Sequence, residues 1–184
     1  MDLHSDKKTH ANHLALERFL FFSDAVFAIA ITLLVIEIRV PEVEDDSNHA
    51  LAGALLSLIP KGVGFIVSFF LIGQAWVEHH RIGRQLNGFN LGLLWKNLFL
   101  LFFVAAMPFA SALLSEHVMS SLATMVYGLM FAGLGLAKAF LWRHAVKCGL
   151  TDTSEPEVRS ISRRVWSVPV SATVVTGLAW AGVP

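Results

Sequence analysis

Glu17-Arg18-Phe19-Leu20-Phe21-Phe22-Ser23-Asp24-Ala25-Val26-Phe27-Ala28-Ile29-Ala30-Ile31-Thr32-Leu33-Leu34-Val35-Ile36-Glu37-Ile38 has the length and apolarity of a helix that crosses a bilayer. A hydrocarbon core of about 30 Å needs about 20 such residues. Yet the stretch holds Arg18 and Asp24 near one end and Glu37 near the other. Charges in hydrocarbon are costly, and those that persist face a bundle interior or a water-filled path. The segment therefore does more than anchor the chain.

Outward from this segment the sequence keeps the same character. Its 184 residues are 55% hydrophobic and 15% charged, with a mean hydropathy of +0.61, too apolar for an ordinary soluble domain. The expected fold class is an all-α polytopic membrane protein with five spans, at about 19–38, 62–79, 91–114, 118–141 and 165–183. Pro60 should start the second span, leaving residues 50–59 as a short interfacial helix, and Pro108 should kink the third. Residues 1–13 are polar, with neither a compact apolar region nor a cleavage site, and read as a disordered cytoplasmic arm rather than a signal peptide. Residues 14–184 read as one transmembrane domain. A formal net charge of zero argues against a nucleic-acid partner, and the single Cys148 excludes an intrachain disulfide.

Lys and Arg are retained on the cytoplasmic side, and they set the orientation. Lys7, Lys8 and Arg18 precede the first span, Arg81 and Arg84 follow the second, and Arg143, Lys147, Arg159, Arg163 and Arg164 lie between the fourth and fifth. The first outer loop is acidic, with Glu42, Glu44, Asp45 and Asp46, and Ser115-Glu116-His117 makes up most of the third loop. The N-terminus is thus expected inside and the C-terminus outside.

Polar residues within the spans divide into those with simple explanations and those without. Lys96 and Lys138 fall near cytoplasmic ends and are expected to snorkel to the headgroups. Gly128, Ala132, Gly133, Gly135 and Ala137 suit close helix packing in the fourth span. Asp24 has apolar sequence on both sides and must turn inward. It lies about 240° from Arg18 around the helix, so both should seek partners on other helices. Gln74, Trp76, Glu78, His79 and His80 at the inner end of the second span, and Asn97 early in the third, share its depth. A polar cluster joining these helices would satisfy groups otherwise stranded in apolar surroundings. His79 and His80 point about 100° apart and do not converge on one metal ion. His4, His10 and His13 lie in an arm without a ligand scaffold. No metal or cofactor is expected.

Further outward, Ile29, Leu33 and Ile36 fall at i, i+4 and i+7 with Thr32 beside them, forming one face. By periodicity alone this stripe is ordinary packing or lipid contact.

The run Arg18-x-x-x-Phe22-Ser23-Asp24, continued by Ala25-Val26-Phe27-Ala28-Ile29-Ala30-Ile31-Thr32-Leu33-Leu34, resembles the signature of the transmembrane protein 175 family, the endosomal and lysosomal potassium channels and their single-repeat bacterial relatives. Trp76-x-x-His79 and Asn97, eleven residues before Pro108, extend the resemblance over about residues 17–110. It implies a homotetrameric, potassium-selective leak channel in the cell membrane, the plasma membrane in a bacterium, its partners being further copies of itself, lipid and permeant potassium. The first helix of each subunit would line the pore. Ile29 would form the constriction, Leu33 and Ile36 further apolar rings, and Thr32 a hydroxyl or carbonyl ring for selectivity. Arg18, Phe22, Ser23, Asp24, Trp76, His79 and Asn97 would be the network between helices. Glu37 would either concentrate cations at the outer mouth or mark the membrane boundary. The family pattern has six spans, and the sixth is expected to be absent here, either because the chain is truncated or because this member dispenses with it.

Two other classes compete. A helix-bundle secondary transporter would show internal repeats and interrupted helices, and 184 residues contain no such repeat. A non-conducting membrane assembly protein would use the Ile29 stripe for packing. An enzyme is not expected, because Ser23, Asp24 and His79 lack a further orienting site.

Overall fold

The computed structural model describes residues 3–43 and 47–166, with side chains described from residue 12 onward. Helix α1 runs Leu3–Leu33 and tightens into a 3₁₀ turn at Leu34–Glu37. The short α2 spans Asn48–Ser57, α3 Ile59–Gly83, α4 Leu91–Glu116 and α5 Ser121–Lys147. A further helical stretch occupies 155–166.

The first helix is longer than its apolar run implies. The segment expected to be a disordered arm is helical from Leu3, where Lys, Ala, Leu and Glu supply good helix formers up to the membrane run. At 1.5 Å per residue, its 31 residues reach about 46 Å. Among the described residues four helices, Asn12–Glu37, Ile59–Gly83, Leu91–Glu116 and Ser121–Lys147, are long and apolar enough to cross a membrane. The fifth expected span, 165–183, lies almost wholly outside the described residues. The chain before Pro60 does form a short helix, and Pro60 sits in the first turn of α3, where its missing N–H costs nothing. Pro108 is buried inside α4, which continues past it to Glu116.

Local chemistry sets the helix ends. Ser47, Asn90 and Ser120 cap α2, α4 and α5 by accepting from the backbone N–H of Ala50, Leu93 and Ala123. Helix α5 stops at Gly149, which adopts φ +64. Gly149 N–H then bonds Val146 O and Leu150 N–H bonds Ala145 O, closing the last turn. The chain leaving α5 pairs back on the α3–α4 connection, with Asn87 N–H to Leu150 O at 3.0 Å and Asp152 N–H to Gln85 O at 3.2 Å. One end of the bundle therefore gathers the C-termini of α3 and α5 with Arg81, Arg84, Arg143 and Lys147. At the opposite end Lys61 pairs with Glu116 at 3.2 Å.

Helices α4 and α5 share the most extensive contact, and α1 packs on both α3 and α4. Phe27, Ile72, Leu93, Val104, Met107 and Leu141 fill the seam. Gly133 allows α5 to approach α4, since a Cβ there would meet a Phe103 ring carbon at 2.2 Å. Such small-residue contacts drive helix association where lipid is as apolar as leucine.

Candidate functional site

Helix α1 has two opposed faces. At about 100° per residue, the buried Leu16, Phe19, Ser23, Phe27 and Ala30 fall in an arc of roughly 80°. Arg18, Phe22, Ala25, Ile29 and Thr32, all exposed, fall in a similar arc on the other side. Leu33 and Ile36 extend the second face outward. Ile29 is 57% exposed and Ile36 65%, so among the described residues most of this apolar face is left open.

The buried face is held by hydrogen bonds. Asn97 on α4 stands at the centre: its Nδ2 donates to Ser23 Oγ at 2.8 Å, and its Oδ1 lies 2.9 Å from His79 Nε2 on α3. Ser23 Oγ in turn donates to the Phe19 carbonyl, one turn back on α1, at 2.9 Å. The chain of bonds thus crosses three helices, and Ser23, His79 and Asn97 are all buried. The rings of Phe19 and Phe27 flank His79 at centroid distances of 6.5 and 5.5 Å. On the flank of the same face, Trp76 Nε1 donates to Asp24 Oδ1 at 2.8 Å.

Five residues expected in the network, Ser23, Asp24, Trp76, His79 and Asn97, therefore meet. Arg18 and Phe22 do not join them. Both are exposed and share the face of Ile29. The adjacent histidines have separate uses, since His79 bonds Asn97 while the His80 ring lies 5.8 Å from that of Trp76. Thr32 Oγ1 donates to the Ile29 carbonyl at 2.9 Å, which leaves its oxygen lone pairs free toward the exposed face. Glu37 ends the 3₁₀ turn and is half-buried.

The snorkelling expected of Lys138 is overturned. Its side chain is 2% exposed and forms an ion pair with Glu78 of α3. The sequence-based span ends at 141, but α5 runs to Lys147, leaving Lys138 some 13 Å inside the helix end. Lys96 is partly buried.

Residues 18–108 match the family described as Endosomal/lysosomal potassium channel TMEM175. A protein of Streptomyces collinus, named as a potassium channel, is 35% identical over 170 residues, covering 89% of this chain and 82% of the relative. The chain belongs to the TMEM175 family. The crystal structure of a lysosomal potassium-selective channel TMEM175 homolog from Chamaesiphon minutus matches with a TM-score of 0.82 at 34% identity, covering 92% of this chain and 88% of that one. A vertebrate TMEM175 from Danio rerio, named as an endosomal/lysosomal proton channel, is 33% identical over 109 residues, which is 56% of this chain but 21% of the fish protein. TMEM175 proteins are ion channels embedded in membranes, and the matched residues 18–108 include the whole hydrogen-bonded network.

Proposed function

We propose that this chain forms a homotetrameric potassium-selective leak channel in which α1 of each subunit lines the pore. The observation that carries the reading is the exposed face of α1 opposite its hydrogen-bonded face. Four copies around an axis would bury that face and leave a narrow apolar passage. Ile29 is its constriction, with Leu33 and Ile36 as further rings, and it closes by excluding water. Thr32 sets an oxygen one turn outward and is the selectivity candidate. Glu37 stands at the outer mouth, where its charge would concentrate cations. Ser23, Asp24, Trp76, His79 and Asn97 hold the pore helix from behind. The N-terminus lies in the cytoplasm, the membrane is the plasma membrane if the host is bacterial, and potassium is the permeant ion without any cofactor. The bacterial relative's name supports potassium as that ion.

The test is ion flux across liposomes holding the purified chain. Potassium should pass in preference to sodium, and Thr32→Val should lower that preference while current persists. A purified oligomer that passes no cation under any gradient contradicts the reading. The vertebrate relative's name makes protons the second permeant candidate, and a pH gradient in the same vesicles separates the two.

A further inference from the structure

A single turn of α3 is tied to three different helices. Trp76 donates to Asp24 of α1, His79 bonds Asn97 of α4, and Glu78 pairs with Lys138 of α5. With Trp76 taken as 0°, His79 lies at about 300° and Glu78 at about 200° around the helix. The two hydrogen-bonded tethers thus leave one side of α3, about 60° apart, and the ion pair leaves the other. Trp76 and His79 alone would let α3 rock about the edge they share. Glu78 pins the far side.

The pairing is not optional. Lys138, 2% exposed, lines a small cavity with Leu71, Ala75, Phe131 and Leu134, where Gln74 and Glu78 are the other polar side chains. A lone charge in such surroundings is far costlier than the same charge paired. The two partners also differ. Glu78, 18% exposed, also lines a cavity of about 260 Å³ at the C-terminal end of α3, together with Arg81, Glu157 and Arg164. Removal of Lys138 leaves Glu78 beside an open polar cavity, whereas removal of Glu78 strands the buried Lys138.

We propose that the Glu78–Lys138 ion pair is a positioning device for conduction: it fixes the rotation of α3, and through Trp76 and His79 the seat of the pore helix. The inference rests on the channel reading above, so its test carries a readout independent of current. The full chain in liposomes is compared with Glu78→Gln, Lys138→Met and the double neutral variant, by single-channel recording and by amide hydrogen exchange along α1.

Glu78→Gln should lower the yield of oligomer more than Lys138→Met. The double variant should recover the oligomer, because no buried charge is left unpaired. Its open probability should nonetheless fall on the order of threefold, a size usual for coupling through residues that touch no permeant ion. Exchange near Ser23 should quicken in the same variant. If the double variant opens and exchanges like the parent chain, the pair only fills space and the proposal fails. It fails equally if the double variant yields no oligomer, since the pair is then a folding requirement. A silent parent chain whose double variant still exchanges faster at Ser23 overturns the channel reading and leaves the tether standing.

Discussion

The two faces of α1 are built on opposite principles. One is closed by specific bonds: Ser23 to Asn97, Asn97 to His79, and Asp24 to Trp76, with Phe27 packed on the His79 ring. The other, from Arg18 through Phe22 and Ile29 to Ile36, is exposed and carries no hydrogen bond to another helix among the described residues. In a membrane, apolarity cannot decide which face turns inward, because lipid accepts leucine as readily as a protein core does. Polar groups decide it. Ser23 and Asp24 set the azimuth of the helix, and Ile29 points away from the bundle as a consequence.

Substitutions on the two faces should therefore differ in kind. On the buried face, Phe27→Ala should have the largest effect, lowering stability by about 2 kcal/mol. That is the packing share of such a loss, since lipid returns the transfer share. The midpoint of thermal unfolding in detergent measures it. Asn97→Ala should follow at about 1.5 kcal/mol by the same measurement, because it strands the buried His79 and removes the donor to Ser23. On the open face, Ile29→Asn should change stability by less than about 0.5 kcal/mol. Its effect should instead be a rise in potassium current of about tenfold, equivalent to about 1.4 kcal/mol off the barrier. Trp76→Phe should be mildest, about 0.6 kcal/mol of stability for one intramembrane hydrogen bond. If Ile29→Asn destabilises the chain as much as Asn97→Ala, the two faces are not distinct in the way proposed.

Much of this arrangement was legible in the sequence, because it depends on residues whose burial in hydrocarbon demands partners. Depth grouped Ser23, Asp24, Trp76, His79 and Asn97 with Arg18, Gln74, Glu78 and His80, the family resemblance narrowed that set, and helical periodicity put Ile29, Leu33 and Ile36 on one face. Two matters were not legible. The sequence reading divides α1 along its length, with an inner clamp and an outer lining, whereas the structure divides it by face. Arg18 and Phe22 belong by spacing to the motif but by azimuth to the Ile29 face. Lys138 was misread because the ends of α5 are set by Ser120 and Gly149, which hydropathy does not weigh. Once the helix is known to reach Lys147, a lysine among Gly135, Ala137 and Ala139 is too deep to snorkel and must find an acid.

The central claim is that the open face of α1 lines the conduction path. The most direct measurement places a thiol there: Ile29→Cys in a Cys148→Ser background, reconstituted in liposomes and treated with a water-soluble methanethiosulfonate, which leaves a mixed disulfide, during potassium flux. The account expects flux to stop on modification and to return on reduction. Complete labelling of the introduced cysteine with unchanged flux would contradict it.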